Sequence, residues 1–153
     1  MIRLVALACA LLAAVSAAAE VRVIDGDTMD VGGQRVRLWG IDAPEGKQSC
    51  QRDGVYWLCG QEAAKALREL VNGKEVSCRE VDRDRYKRSV AVCHASDGQM
   101  PVNAWMAREG WALDYRQYSK GAYAEAESEA REAKRGLWAG TFIPPWEWRR
   151  QKR

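Results

Sequence analysis

Four carboxylates and one arginine lie close together near the start of the chain. The segment Asp25-Gly-Asp-Thr28 predicts a tight turn, because glycine permits the backbone geometry and aspartate favours turns. A second acidic pair, Asp42 and Glu45, follows an apolar strand. Clustered carboxylate oxygens suit a hard divalent cation, calcium above all. Arg37 suits a phosphate, because its planar fork donates two hydrogen bonds to phosphate oxygens. A cation site beside an arginine indicates phosphodiester chemistry.

The first nineteen residues are typical of a secretory signal peptide. Arg3 supplies the positive charge, residues 4–15 are apolar, and small residues precede Glu20. No other stretch approaches the ~20 apolar residues that span a membrane. We therefore expect an exported protein, in a bacterial periplasm or outside the cell, with no membrane segment after cleavage. Residues 20–153 are expected to form a single domain and a monomer.

Charge gives only local information about partners. The chain has 24 basic and 21 acidic residues, and losing Arg3 lowers the net charge from +3 to +2. This balance neither requires nor excludes a nucleic acid, so any attraction must come from a local patch. The densest basic patch consists of Arg79, Arg83, Arg85, Lys87 and Arg88.

Four cysteines remain after the signal peptide: Cys50, Cys59, Cys78 and Cys93. An even number in an exported domain indicates disulfides, although three pairings are formally possible. Local geometry favours Cys50–Cys59 across a polar loop and Cys78–Cys93 across a hairpin. Zinc is a weaker alternative, because no Cys-x-x-Cys spacing occurs and His94 is the one histidine.

The order of predicted elements indicates an α+β fold, a five-stranded OB-fold β-barrel with three α-helices. Strands are predicted at 20–24, 28–31 and 34–41, a polar loop at 46–60, a helix at 61–71, a hairpin at 75–94, and helices at 102–109 and 121–135. The Trp-rich tail at 136–153 is interpreted as a segment that wraps the barrel. The alternative is an aromatic surface for stacking bases.

Several motifs in order resemble the staphylococcal nuclease (thermonuclease) family over about residues 21–138. The motifs are Asp25-Gly-Asp-Thr28, Arg37 through Asp42-Ala-Pro-Glu45, Asp84-Arg-Tyr-Lys-Arg-Ser-Val-Ala91, Val102-Asn103, Arg108-Glu-Gly-Trp-Ala112 and Gly136-Leu-Trp138. A lone Asp-Gly-Asp-Thr would be a weak signal, but several motifs with matching order and spacing make a specific one.

The resemblance implies a calcium site and a water-activating acid. Asp27 and Asp42 would bind Ca²⁺ through their carboxylates, and Ala43 through its backbone carbonyl. Glu45 would orient or deprotonate the attacking water. Asp25 would brace the turn, with only an indirect role at the metal.

The resemblance also implies how the substrate is held. Arg37 and Arg88 would grip the phosphate from two sides. Three further residues would contact the nucleic acid: Arg85, Tyr86 and Tyr115. The implied activity is calcium-dependent hydrolysis of DNA and RNA, with single strands favoured, little sequence preference and 3′-phosphate products.

The sequence departs from the family pattern at three places, and two alternative functions stay open. Ala43 stands where the best-known member has threonine, and Lys87 stands where glycine precedes the second arginine. The cysteine pair also makes the 46–60 loop distinctive. The main alternative function is a noncatalytic OB-fold module that binds single-stranded nucleic acid or protein. A structural calcium-binding protein is the third possibility.

Overall fold

The computed structural model describes residues 19–152, so the predicted signal peptide lies outside the described residues except for Ala19. Nine strands are present in this part: β1 (Val21–Asp25), β2 (Thr28–Val31), β3 (Gln34–Leu38), β4 (Ile41–Asp42), β5 (Cys50–Arg52), β6 (Val55–Trp57), β7 (Val76–Arg83), β8 (Ser89–Ala95) and β9 (Leu113–Asp114). The helices are α1 (Cys59–Val71), α2 (Val102–Arg108), α3 (Arg116–Ser119), α4 (Ala124–Glu132), a 3₁₀ turn (Gly136–Ala139) and α5 (Pro145–Gln151).

Five strands form the main sheet in the order β1-β2-β3-β8-β7. The first three make an antiparallel meander, and β7 and β8 make an antiparallel hairpin. The two groups join through a parallel pairing of β3 with β8, which sets Arg37 beside Val90. The last residues of β3 therefore lie beside the first residues of β8.

The described sheet is open, which differs from the predicted closed barrel. No pairing joins β1 to β7 within residues 19–152. The strand predicted at 34–41 breaks at Trp39 and Gly40, where Gly40 has a φ of 74°. Its second part, β4, leaves the main sheet and pairs antiparallel with β9. Because of this break, Asp42 lies in a separate two-stranded sheet formed by β4 and β9.

The predicted number of three helices is wrong, because five α-helices and a 3₁₀ turn occur in the described residues. α1, α2 and α4 correspond to the predicted helices. α3 and α5 are short, with four and seven residues. Four residues give no periodicity, and the two tryptophans of α5 are only two residues apart, which is not a helical spacing. The predicted 46–60 loop also contains the β5–β6 hairpin.

The hydrophobic core lies between the sheet and the helices. Met29, Leu38, Leu67, Cys93 and Met106 are all fully buried. α1 contributes Leu67 and Val71 to this core, and Gly73 follows the helix with a φ of 69°. Burial of these side chains stabilises the sheet that carries the polar residues described below.

Two disulfides are present, Cys50–Cys59 and Cys78–Cys93. They are the two pairings that the sequence favours. Cys78 lies directly opposite Cys93 in the β7–β8 ladder, and Cys50–Cys59 joins β5 to the start of α1. Among the described residues, no helix has the length and apolar character that crossing a membrane requires.

Candidate active site

The turn between β1 and β2 holds Asp27 in a buried position. The Asp27 N–H donates to Asp25 Oδ1 at 3.1 Å, and Thr28 Oγ1 donates to Asp27 Oδ1 at 2.9 Å. A Cβ on Gly26 would lie 2.7 Å from the Ala43 Cβ, so only glycine lets the turn approach so closely. Burial, and then the negative charge of Asp27, raises the pKa of Asp25 to about 7. The hydrogen bond that Asp25 accepts from the Asp27 N–H braces the turn.

Arg37 on β3 connects the two buried aspartates. Its Nη2 lies 2.9 Å from Asp42 Oδ1 and 3.3 Å from Asp27 Oδ2. Asp42 is 0% exposed and Asp27 4% exposed. Burial raises the pKa of Asp42 and the neighbouring Asp27 adds to the shift, while hydrogen bonds from Arg149 and the charge of Arg37 oppose it. The Ala43 N–H completes the group by donating to Asp27 Oδ2 at 3.0 Å.

Glu45 follows this pair and lies at the edge of a groove. Its backbone N–H donates to Gln48 Oε1 at 3.2 Å. Its side chain is 34% exposed, and Oε1 accepts a hydrogen bond from Arg149 Nη1 at 2.8 Å. We call Asp27, Arg37, Asp42 and Glu45 the acid wall of the groove.

The β7–β8 hairpin forms another part of the groove, and we call Arg85, Tyr86 and Arg88 its hairpin wall. Asp84 holds the tip: its Oδ1 accepts the N–H groups of Tyr86 and Arg88 at 2.9 and 3.0 Å. Its Oδ2 accepts Arg88 Nε at 2.6 Å. Hydrogen bonds from Arg88 hold the pKa of Asp84 below its usual value, although burial opposes the shift.

Lys87 lies inside this tip and adopts a φ of 64°. It therefore has the left-handed conformation that glycine would adopt without strain. The backbone turn into Arg88 is kept despite the lysine. The guanidiniums of Arg85 and Arg88 lie 4.9 and 5.5 Å from the centre of the Tyr86 ring, which is 66% exposed.

Both walls face one groove of about 1040 Å³. Its lining includes most of the predicted site residues: Asp27, Arg37, Ala43, Glu45, Arg85, Tyr86, Arg88 and Tyr115. Asp42 lies behind this lining, under Arg37. The fold thus brings together residues from five separate parts of the chain. The predicted aromatic residue Tyr115 sits at the same groove and packs edge-on against Tyr118, with ring centroids 5.0 Å apart.

α5 adds three residues to the groove, Trp146, Arg149 and Arg150, and none of them is a predicted site residue. Trp146 stacks on Tyr115 with ring centroids 5.3 Å apart and an interplanar angle of 5°. Arg149 reaches Asp42 and Glu45 with its two Nη atoms. The Trp-rich tail therefore belongs to the groove. No sequence spacing marks Arg149, because its partners lie 104 and 107 residues away.

The residues present fit a divalent cation, with two carboxylates as the side-chain ligands. Within residues 19–152 no group of three or more His, Cys, Asp or Glu side chains is placed to hold a metal ion. The donors available are the carboxylates of Asp27 and Asp42, so the Ala43 carbonyl and water would supply the other oxygens. Two nearby guanidiniums, Arg37 and Arg149, oppose the negative charges of Asp27, Asp42 and Glu45. Because the pKa of Asp25 is raised to about 7, this carboxyl adds at most one further charge. About one to two negative charges are therefore left for a cation to balance.

Comparisons of the sequence with known proteins identify one family. The model of the family described as staphylococcal nuclease homologue matches residues 35–140. An uncharacterized endonuclease of Escherichia coli O157:H7 is 41% identical over 138 residues, which cover 86% of this chain and 84% of the relative. The micrococcal nuclease of Shigella flexneri is 38% identical over 169 residues, covering 97% of this chain and 92% of the relative.

A third relative carries a different name. The succinoglycan biosynthesis protein ExoI of Rhizobium meliloti (strain 1021) is 39% identical over 121 residues. The match covers 78% of this chain and 63% of that relative.

Proposed function

The chain belongs to the staphylococcal nuclease family, which makes it a nuclease hydrolase, and we propose that it is a calcium-dependent enzyme that cleaves phosphodiesters of DNA and RNA. One observation carries the proposal. Arg37 joins two buried aspartates beneath a groove that Glu45 and Arg88 also line. One groove thus has acids that can bind a cation and an acid that can activate water. It also has two arginines that can bind a phosphate.

Each residue of the groove has a role in the proposal. Asp27, Asp42 and the Ala43 carbonyl hold calcium. When bound, the ion supplies positive charge that neutralises the phosphodiester and makes it easier to attack. Glu45 orients the attacking water and takes its proton through Oε2, which accepts no hydrogen bond in the described part of the chain.

The two arginines act on the phosphate from opposite walls. Arg37 is 21% exposed and Arg88 26% exposed, so both present N–H groups to the groove while carboxylates hold them in place. Charge that develops on the phosphate oxygens meets these fixed donors, which lowers the barrier. Arg37 is oriented by Asp27 and Asp42, and Arg88 by Asp84.

The aromatic residues support a preference for single strands. Tyr86 is exposed beside two guanidiniums, and Tyr115 stacks on Trp146 in the same groove. Aromatic faces stack on unpaired bases of any sequence, and a flanking arginine attracts the backbone. We therefore expect little sequence preference. The 3′-phosphate products are the ones that the resemblance to the family implies.

The proposal extends to location and assembly. The two disulfides require an oxidising compartment to persist, which agrees with export to a bacterial periplasm or beyond. We propose that the mature domain, residues 20–153, acts as a monomer.

A noncatalytic binding module is the second candidate. One observation favours it: Arg149 engages both Asp42 and Glu45, and a guanidinium at these carboxylates competes with a cation. Such a module would bind single strands through the same aromatic and basic groove.

One assay separates the two functions. Purified protein is incubated with denatured DNA, in calcium and separately in chelator, and products are resolved on denaturing and native gels. The proposed enzyme digests the DNA only with calcium. A gel shift without digestion under both conditions would contradict it and support the binding module.

A further inference from the structure

Arg149 makes the most extensive ionic contact in the groove, yet it lies outside residues 35–140, which the family model matches. Its Nη1 is 3.0 Å from Asp42 Oδ1 and 2.8 Å from Glu45 Oε1. Its Nη2 is 2.8 Å from Asp42 Oδ2. One planar fork thus connects a predicted calcium ligand to the predicted water-activating acid.

Glu45 depends on this contact for its orientation. Among the described residues, the hydrogen bond from Arg149 is the one that its carboxylate accepts. The side chain is 34% exposed, so without Arg149 it would sample several rotamers. An acid that activates water has to be held in one productive geometry.

Asp42 keeps room for another partner. A carboxylate offers about four acceptor positions. Arg37 and Arg149 together use three of them, two on Oδ1 and one on Oδ2. One position on Oδ2 stays open. Arg149 therefore contacts Asp42 without occupying all of its acceptor positions, so this contact does not block the carboxylate.

The helix that carries Arg149 is anchored to the same loop as Glu45. Gln48 is fully buried; its Oε1 accepts the Glu45 N–H, and its Nε2 donates to the Ile143 carbonyl at 2.7 Å. Trp146 adds the stack on Tyr115. Two independent contacts thus fix α5 against the groove, so the position of Arg149 does not rest on its ion pairs alone.

We propose that Arg149 is a positioning residue of the active site, which holds the Glu45 carboxylate in the orientation that activates water. This rests on the proposed nuclease function. Arg149 acts through Glu45, so its removal lowers turnover more than substrate binding. Its fork suits this task better than lysine, because it reaches two carboxylates at once.

A double-mutant cycle on the full chain tests the proposal. The variants are Arg149→Gln, Arg149→Lys, Glu45→Gln and the double Arg149→Gln/Glu45→Gln, assayed on single-stranded DNA with calcium. We expect Arg149→Gln to lower kcat by about 100-fold with KM changed by less than about threefold. Arg149→Lys should fall between it and the parent. The double variant should match Glu45→Gln, because Arg149 has nothing left to orient.

Arg108→Gln is the matched control, because it removes an Arg–Glu pair of α2 and α4 outside the groove. Its kcat should equal that of the parent. Circular dichroism shows whether each variant folds. If Arg149→Gln does not fold, the test uses Arg149→Lys instead.

Two results would overturn the proposal. If Arg149→Gln cleaves as fast as the parent or faster, Arg149 is dispensable or inhibitory. If the double variant loses the full Arg149→Gln factor on top of Glu45→Gln, Arg149 acts independently of Glu45. A parental rate for Glu45→Gln alone would instead contradict the role given to Glu45 under the proposed function, and the cycle tells these failures apart.

Discussion

The two walls of the groove are held in different ways. On the hairpin wall, Arg88 pairs with Asp84, four residues earlier in the same β-hairpin. On the acid wall, Asp42 is fully buried and receives Arg37 from β3 and Arg149 from α5. The first wall is local and partly exposed, while the second joins distant parts of the chain in a drier environment.

This difference assigns different tasks to the walls. Buried charges interact strongly and cannot be rearranged cheaply, so the acid wall suits the fixed geometry of the reacting groups. The hairpin wall is closer to water, and its exposed Tyr86 suits contact with substrates of varied sequence. We expect substitutions on the acid wall to affect turnover. On the hairpin wall, substitutions of Arg85 and Tyr86 should affect binding, while Arg88 contributes to turnover through the phosphate.

The largest effect should come from Glu45→Gln on the acid wall. The change keeps the size of the side chain but removes the group that takes a proton from water. General-base catalysis contributes about 10²–10⁴-fold, so kcat should fall by that factor with KM little changed. Initial rates of cleavage of single-stranded DNA provide the measurement.

The hairpin wall supplies the contrast to that result. Tyr86→Ala removes an exposed ring, so it should raise KM by about tenfold, the loss of about one base-stacking contact, and leave kcat near the parental value. If Glu45→Gln mainly raised KM, or Tyr86→Ala mainly lowered kcat, the division between the walls would be wrong.

The two disulfides allow the acid wall and the hairpin wall to be compared through the stability of the protein. Replacing both cysteines of either pair by serine should lower the free energy of unfolding by about 3 kcal/mol, since the closed loops have similar lengths. Removing Cys50–Cys59 loosens the segment that contains Gln48 and should also lower kcat. Removing Cys78–Cys93, at the base of the hairpin, should leave kcat near the parental value in conditions where both variants stay folded.

Denaturant unfolding and initial rates measure both quantities on the same samples. Equal loss of kcat in the two double-serine variants would show that the acid wall does not depend on its own disulfide.

The smallest effect concerns the hairpin tip. Lys87→Gly should stabilise the protein by about 0.5 kcal/mol, because glycine relieves the strain of a positive φ but gains more freedom in the unfolded chain. Lys120, outside the hairpin, has a φ of 56°, so Lys120→Gly is the matched control. Unfolding by urea should show a similar gain for both and no change in KM. A loss of stability in Lys87→Gly alone would mean that the lysine side chain contributes to the tip.

The sequence predicts the local parts of the site better than the distant ones. Asp25 and Asp27 are two residues apart in a glycine turn, and the Cys78–Cys93 pairing follows from symmetry about the hairpin tip. Both depend on contacts within a few residues of one another or along one ladder. Turn chemistry and alternation along strands are enough to predict such contacts.

Other features depend on packing that no local pattern encodes. The break at Gly40 leaves β4 with a partner, β9, more than seventy residues later. Arg149 meets Glu45 only because Gln48 and Tyr115 dock α5 against the groove. A run of Trp and Arg after two prolines predicts neither contact, because its partners are fixed by tertiary structure.

Calcium dependence of cleavage by the parent and by Asp42→Asn tests the central claim most directly. The rate of cleavage of single-stranded DNA is measured over a series of calcium concentrations, with Asp30→Asn as a control on an aspartate that pairs with Arg22 outside the groove. We expect no cleavage in chelator, and a half-maximal calcium concentration more than about tenfold higher for Asp42→Asn. Cleavage by the parent in chelator, or the same calcium dependence for parent and Asp42→Asn, would contradict the claim.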